Sequence, residues 1–333
     1  MTITRRAFLA TGVAATGLAA LAPTAFARGG RRQRSSESYF EWKDLGRGAF
    51  MAVGEGGNAL LAASAGRAML VDCKNAPFGE TLRREAEAHG TKLTHVFNTH
   101  HHADHTGGNS AFARSVPLFA HPNARNRVIQ QLDRYKAGIT GGMAQIARSQ
   151  KPAKDAVLED AKRLAEIVNE LTADDFAPTE ALSSNESLRI GDLTIVARHF
   201  GAGHTDNDVI IHIPELNLIH MGDLLFHGLH PYWDDTAAPS SAGWMESCRR
   251  AAAMCNDTTV VIPGHGELTD VSGIRGQIAY FEAVRAAAAD AKAKGTTRED
   301  FLKIELPIFE GRGFAQVKPR VLGGVYDEIV GGQ

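Results

Sequence analysis

The stretch NTHHHADHTGGN, residues 98–109, places four histidines and one aspartate within six consecutive positions. Imidazole and carboxylate groups are ligands that zinc and similar divalent ions accept readily. In an extended chain, side chains two residues apart point to the same side, so His100 and His102 can hold one ion. Asp104 and His105 lie one turn further on and can hold a second ion. The stretch therefore predicts half of a site for two metal ions.

Three later residues are candidates to complete this site, because each follows an apolar run that predicts a strand. His204 follows IVARHFGAG, Asp223 follows LNLIHMG, and His265 follows VVIPG. Strand ends can bring side chains from distant segments to one rim of a scaffold. We expect the two histidines to complete the two ligand sets and the two oxygens of Asp223 to bridge the ions. His101 points to the opposite side of the chain and is not expected to be a ligand.

Two cations held in this way would activate water. They would lower the pKa of a bridging water toward neutrality and so produce a hydroxide nucleophile. We expect this hydroxide to attack an ester, thioester, lactone or amide-type carbonyl of a small-molecule substrate. Asp104 is the candidate catalytic residue, because it can orient the hydroxide and pass on its proton.

The segment FHGLHPYWDD, directly after Asp223, is the candidate substrate pocket. A tyrosine hydroxyl or a histidine there can polarise a carbonyl or stabilise an oxyanion. A packed aromatic corner is the alternative interpretation. The candidate pocket residues are His227, His230, Tyr232 and Trp233.

Alternating strands and helices must position these residues. Apolar runs bounded by turn residues predict strands at FMAV, NALLAAS, AMLVD, LTHVFNT and VPLFAH, and later at LRIGDLTIVARHF, NDVIIHIPELNLIHMGD and TTVVIPGHG. Helices are predicted at ETLRREAEAHG, from about Asn109, at GIRGQIAYFEAVRAAAADAKA and near the C-terminus. Asp72 lies at the end of the predicted strand AMLVD. Two interpretations of it are open: it orients a ligand histidine, or it is only a turn residue. Two similar halves favour an α/β fold with four layers, an αββα sandwich.

A helical insert at about 123–181 interrupts this pattern. EDAKRLAEIVNEL carries apolar residues at helical spacing, whereas RYKAGITGGMAQ predicts a loop. The insert either packs on a sheet edge or forms part of a lid over a pocket. No repeat or second linker is visible, so residues 38–333 are expected to form one hydrolase domain.

Residues 1–27 have the pattern of an export signal. Arg5 and Arg6 precede a small apolar stretch that ends in the cleavage sequence AFA. TRRAFL resembles a twin-arginine signal, which implies the twin-arginine export machinery as a partner. The apolar stretch is too short for a permanent anchor, so we expect a periplasmic or secreted protein without a stable membrane span after cleavage. Residues 28–37 predict a flexible mature N-terminus.

Composition excludes some function classes. The chain has 333 residues and a formal net charge of −2. It therefore lacks the basic excess typical of nucleic-acid binding, and we expect no nucleic-acid partner. Its three cysteines are too few and too scattered for a disulfide framework.

The ordered ligand set resembles the metallo-β-lactamase superfamily of hydrolases. The family pattern H-x-H-x-D-H is met by residues 100–105, and GAGHTDND carries the third histidine at His204. MGDLLF carries the bridging aspartate at Asp223, and IPGHGE carries the final histidine at His265. The resemblance covers about residues 50–267. It implies an αββα sandwich, two zinc ions per chain and hydrolysis.

The resemblance leaves the substrate open. β-Lactam hydrolysis is the first alternative, although β-lactamases carry Cys or Ser where this chain has Asp223. The carboxylate looks more like glyoxalase II, lactonases and the broader metallohydrolase group, but the sequence shows no obvious basic set to hold glutathione. A second alternative is a non-hydrolytic iron- or metal-binding protein with redox or sulfur chemistry, because some superfamily members hold iron. We therefore favour a general exported zinc hydrolase.

Overall fold

The computed structural model describes residues 38–331. The predicted export signal and the predicted N-terminal tail lie outside the described residues. Within the described range, two β-sheets lie face to face, and helices cover the outer side of each sheet.

The first sheet contains seven strands, which follow the order of the chain from one edge to the other. The first four strands pair antiparallel, and each later strand runs parallel to the one before it. The carboxyl ends of the parallel strands therefore meet at one rim of the sheet. The strands are β1 (Glu41–Gly46), β2 (Ala49–Val53), β3 (Ala59–Ser64), β4 (Arg67–Val71), β5 (Leu93–Phe97), β6 (Leu118–Ala120) and β7 (Glu180–Ala181).

The second sheet contains five strands in the order β12-β11-β10-β9-β8. Strands β11 and β12 run parallel to each other, and the other neighbours pair antiparallel. The second parallel pair thus brings another two strand ends together. The strands are β8 (Asn185–Ile190), β9 (Leu193–Arg198), β10 (Ile210–Ile213), β11 (Leu218–His220) and β12 (Val260–Ile262).

Nine α-helices lie within the described range, and three of them fall in the predicted insert. Helices α1 and α5 pack outside the first sheet, whereas α6, α7 and α9 pack outside the second. None of the helices in residues 38–331 combines the length and apolar character that a membrane crossing requires. The helices are α1 (Gly79–Glu87), α2 (Ala103–Thr106), α3 (Pro122–Ile129), α4 (Leu132–Arg148), α5 (Lys154–Glu166), α6 (Ser241–Ala252), α7 (Val271–Lys294), α8 (Arg298–Phe301) and α9 (Lys318–Val330).

Alternating side chains build the layers on either side of each sheet. On β3, Leu60 packs between the sheets and Leu61 packs against the outer helices. On β10, Ile211 lies between the sheets and Ile210 faces the helices of the second sheet. Burial of each such side chain contributes about 1.5–3 kcal/mol. The expected αββα sandwich is confirmed.

The prediction of a loop at RYKAGITGGMAQ is wrong, because these residues lie within α4. Glycines in a helix interior cost about 1 kcal/mol each, and the segment contains three of them. Packing offsets this cost: Tyr135 and Ile139 are fully buried. A Cβ on Gly142 would lie 2.6 Å from Cδ of Pro77, so the helix needs this glycine to approach that residue.

The prediction of a helix from about Asn109 is also wrong. The helical turn α2 begins earlier, at Ala103, and a 3₁₀ turn of five residues follows it. Gly107 and Gly108 have ordinary negative φ, so they do not serve a sharp turn. They allow close packing instead, since a Cβ on Gly108 would lie 2.0 Å from the carbonyl oxygen of Cys73.

Candidate metal centre

A pair of amide side chains closes the histidine-rich loop. Nδ2 of Asn98 donates to Oδ1 of Asn109 at 3.1 Å, and Nδ2 of Asn109 donates to Oδ1 of Asn98 at 2.9 Å. Both side chains are fully buried, so water does not compete for these hydrogen bonds. The pair joins the end of β5 to the turn after α2 and holds the intervening histidines in one loop.

The first ligand group joins three segments of the chain. Nδ1 of His102 lies 3.0 Å from Nε2 of His204. Oδ2 of Asp223 lies 3.7 Å from Nε2 of His100 and 3.5 Å from Nε2 of His204. The structure thus adds His204 to the pair that the sequence assigned to one ion. The ligand atoms of His100, His102, His204 and Asp223 all lie within 4.8 Å of one another.

The second ligand group consists of Asp104, His105 and His265. Oδ2 of Asp104 lies 3.1 Å from Nε2 of His265 and 3.6 Å from Nε2 of His105. Oδ1 of Asp223 lies 3.1 Å from Nε2 of His105 and 3.4 Å from Nε2 of His265. Asp223 therefore turns one oxygen toward each group, which is the placement that a bridging carboxylate requires.

Two glycines leave room for the ligand side chains. A Cβ on Gly57 would lie 2.1 Å from Cε1 of His105. A Cβ on Gly264 would lie 2.0 Å from Oδ1 of Asp223. Neither glycine has a positive φ, so close approach to a ligand, and not a turn, excludes a side chain at these positions.

Asp72 positions one of the ligand histidines. Its Oδ2 lies 2.7 Å from Nδ1 of His105. The backbone N–H and the hydroxyl of Thr99 each donate to the Asp72 carboxylate at 2.8 Å. A carboxylate on Nδ1 fixes the imidazole orientation and directs Nε2 toward Asp104 and Asp223. Of the two interpretations of Asp72, the structure supports the orienting partner.

Asp234 is a second carboxylate that positions a candidate ligand, His102, and its role was not predicted from the sequence. Its Oδ2 lies 2.8 Å from Nε2 of His102, so His102 presents Nδ1 to the first group. Asp234 is the first of the two aspartates that end FHGLHPYWDD, 132 residues after its partner, and no local pattern marks it. Nδ1 of His101 lies 3.0 Å from Nδ2 of Asn207. His101, His102 and Asp234 also lie close enough together to hold an ion, but His102 is already shared with the first group.

Burial and charge set different protonation preferences across the site. Burial lowers the pKa of His204 to about 3 and the pKa of His100 well below its ordinary value, so both rings offer lone pairs. Burial alone would also lower the pKa of His265, but the carboxylates of Asp223 and Asp104 raise it to about 9. Burial would raise the pKa of Asp104, yet His105 and His265 hold it well below its usual range. Despite burial, the carboxylates also raise the pKa of His105 well above its ordinary value, so without a bound ion the two carboxylates pair with two protonated imidazoles, and a bound cation would displace those protons.

The donor set fits divalent cations. Six buried side-chain atoms in residues 38–331 have no hydrogen-bond partner, and three of them converge at this site: Nε2 of His100, Nε2 of His105 and Oδ1 of Asp223. An unpartnered buried polar atom costs about 1–3 kcal/mol, so their convergence indicates a ligand that satisfies all three. Nitrogen and carboxylate oxygen donors suit zinc and iron. The residues that would hold two ions are His100, His102, His204, Asp104, His105 and His265, with Asp223 between the groups.

A cavity of about 330 Å³ opens onto these residues. Of the four predicted pocket residues, only Tyr232 lines this cavity. His230 is buried, with Nδ1 2.9 Å from the hydroxyl of Tyr280, and Trp233 is buried in the core of the second sheet. His227 lines a separate cavity. The lining residues are His102, Asp104, Asp223, His265, Arg134, Phe226, Tyr232, Asp234, Phe314, Gln316 and Val317.

The family model of the metallo-β-lactamase superfamily matches residues 52–265. The chain belongs to this superfamily. Every ligand candidate lies within the matched range, and His265 is its last residue. Members of the superfamily are mostly metal-dependent hydrolases, which agrees with the clustered histidines and aspartates.

Solved structures and one curated relative resemble this superfamily member. The metallo-β-lactamase from Pontibacter korlensis is 16% identical, with a TM-score of 0.54 over 73% of this chain and 99% of that chain. DIM-1 metallo-β-lactamase is 18% identical, with a TM-score of 0.53 over 73% of this chain and 97% of that chain. At these identities the likeness shows the fold alone. Hydroxyacylglutathione hydrolase of Nitrosococcus oceani is 44% identical over 45 residues, which span 13% of this chain and only 17% of that relative.

Proposed function

We propose that this superfamily member is a dinuclear zinc-dependent hydrolase of ester, thioester, lactone or amide-type bonds. The observation that carries the proposal is the position of Asp223, whose two oxygens face two separate histidine groups. Zinc ions bound there would lower the pKa of a water and polarise the substrate carbonyl.

The side chains of this chain would handle the proton and the substrate. Asp104 lines the cavity, and its lowered pKa keeps it ionised at neutral pH, so its carboxylate can accept a hydrogen bond from water and orient it. Tyr232 also lines the cavity, and its phenol is a hydrogen-bond donor suited to a carbonyl oxygen. Asp72 and Asp234 hold His105 and His102 in place by hydrogen bonds to the ring nitrogens that face away from the ligand groups.

Metal removal and replacement test the proposal. Purified protein should contain about two zinc ions per chain, measured by elemental analysis. It should lose hydrolysis after chelation and regain it with added zinc. The substrate panel is a chromogenic β-lactam, a thioester, a lactone and an aryl ester. Full turnover by metal-free protein would contradict the proposal, and redox-active iron without hydrolysis would favour the alternative redox or sulfur chemistry.

Thioester hydrolysis is a second candidate that a specific observation favours. The observation is the local match to hydroxyacylglutathione hydrolase, which is 44% identical over 45 residues. β-Lactam hydrolysis stays in the panel as the other alternative, although Asp223 stands where β-lactamases carry Cys or Ser. A preference of at least tenfold in kcat/KM for the thioester over the lactam would favour thioester hydrolysis.

We propose as well that the twin-arginine machinery exports the protein to the periplasm or medium. The support is the sequence of residues 1–27, with paired Arg5 and Arg6 before the apolar stretch and the AFA cleavage sequence. N-terminal sequencing of protein from the exporting compartment is expected to begin at or near Arg28. Mature protein that retains residues 1–27 would contradict this proposal.

A further inference from the structure

The cavity over the metal centre has one basic residue in its wall, and that residue belongs to the insert. Arg134 is the only arginine or lysine among the described residues that line the cavity. It lies in the first turn of α4 and is exposed. No carboxylate within residues 38–331 lies within 4 Å of its guanidinium, whereas Arg125 pairs with Asp174 at 3.2 Å and Arg127 pairs with Asp206 at 2.6 Å. Arg134 is thus available to a ligand in the cavity.

The start of α4 is fixed to the metal-binding loop, so Arg134 projects from a rigid element. Nε2 of Gln131 donates to the carbonyl oxygen of His101 at 3.0 Å. The hydroxyl of Tyr135 lies 2.7 Å from Oγ1 of Thr106, directly after the ligand His105. The Tyr135 ring is fully buried and stacks on Phe176 at a centroid distance of 4.7 Å. These contacts hold the backbone of Arg134 at a constant position relative to the ligand residues.

Part of the cavity wall is apolar. Phe226, Phe314 and Val317 line it, and the Phe226 ring stacks on His265 at 5.2 Å. Phe314 leaves 38% of its surface exposed and is one of few large apolar side chains with such exposure in the described chain. An exposed aromatic face beside a binding cavity is suited to contact with an apolar part of a ligand.

We propose that Arg134 binds a carboxylate of the substrate, while Phe314 contacts an apolar part of the same molecule. The inference rests on the proposed hydrolase function and narrows its substrate class to carboxylate-bearing esters, thioesters, lactones or lactams. A guanidinium presents parallel N–H donors that match both oxygens of a carboxylate. The insert therefore contributes a wall of the substrate site as well as packing beside the first sheet.

The first test measures binding and does not depend on turnover. Zinc-loaded protein is titrated with phenylacetate and with phenylacetamide, which has a similar shape and no charge. Arg134→Gln should weaken phenylacetate binding at least 10-fold, the lower end expected for a hydrogen-bonded charged pair, and should leave phenylacetamide within twofold. Lys136→Gln is the matched control, because it removes the same charge from the same helix at a residue outside the cavity wall. Equal binding of phenylacetate by the Arg134→Gln variant and the wild type would overturn the proposal.

The second test uses two aryl esters that release the same phenol. For the mono-4-nitrophenyl ester of glutarate, Arg134→Gln should lower kcat/KM at least 10-fold, and Arg134→Lys should recover part of that loss. For neutral 4-nitrophenyl butyrate, both variants should stay within twofold of the wild type. Equal losses on both esters would overturn the role of Arg134. If the wild type hydrolyses neither ester nor any other member of the substrate panel, the proposed function fails, and the binding test alone then decides the role of Arg134.

Discussion

Replacement of Gly264 by alanine is expected to remove most of the metal affinity of this protein. The new Cβ would lie 2.0 Å from Oδ1 of Asp223 and 2.7 Å from the carbonyl carbon of Gly222. The backbone cannot easily retreat, because the N–H of Gly264 donates to Gly222 at 2.8 Å and its carbonyl accepts from the N–H of Asn58 at 2.7 Å. The carboxylate that lies between the two ligand groups must move instead.

We expect Gly264→Ala to weaken zinc binding about 100-fold or more. Loss of a residue that only orients a ligand already costs about 10- to 100-fold, and this change displaces the ligand itself. Competition titration against a chromophoric chelator measures this loss. Gly276→Ala is the control, since Gly276 lies within α7 and a Cβ there meets open space. That change should keep both zinc ions and raise the free energy of unfolding by about 0.5–1 kcal/mol. Wild-type zinc affinity in Gly264→Ala would contradict the bridging position of Asp223.

Asp234→Ala is expected to weaken zinc binding about 10- to 100-fold and to lower kcat on any substrate found. The loss follows from His102, whose Nε2 would have no carboxylate to hold its proton and orient its ring. Oδ1 of Asp234 also accepts from the N–H of Thr236 at 3.0 Å, so alanine removes a second contact. Asp234→Asn is the milder change, because its single amide oxygen can accept one of these two bonds but not both, and it carries no charge.

The control for Asp234 is its exposed neighbour. Asp235→Ala should leave zinc affinity unchanged, although it removes the same charge from the same segment. We expect Asp234→Asn to fall between the wild type and Asp234→Ala in a zinc competition titration. If Asp234→Ala binds zinc within twofold of the wild type, the hydrogen bond to His102 does not support the metal centre.

The candidate ligands could be recognised in the sequence because each carries a local signal. His100, His102, Asp104 and His105 share one short motif, and the other ligands follow apolar runs that end in glycine-containing turns. The strand β3 was likewise visible as an apolar run, and its burial on both faces explains why that run is continuous. These patterns depend on neighbours in the chain, so the sequence alone contains them.

The missed features depend on contacts between distant segments. Asp234 gains its role only because the fold places it against His102, and WDD looks like an ordinary surface turn. Helix α4 was obscured by its three glycines, and only the distant contact of Gly142 with Pro77 explains one of them, which a local propensity cannot register. The two-residue strand β7 is defined by its pairing with β6, so no pattern of its own could predict it. His230 and Trp233 are buried in the core by contacts of the same long-range kind.

The two glycines that pack against candidate ligands limit which positions of this protein can change. Gly57 and Gly264 accept no side chain without moving a candidate ligand, so these two positions beside the candidate metal centre tolerate little mutation. Arg134 and Phe314 are exposed, and they belong to α4 and to the segment before α9. Substitutions at those two positions would therefore change the cavity without displacing any of the candidate ligands.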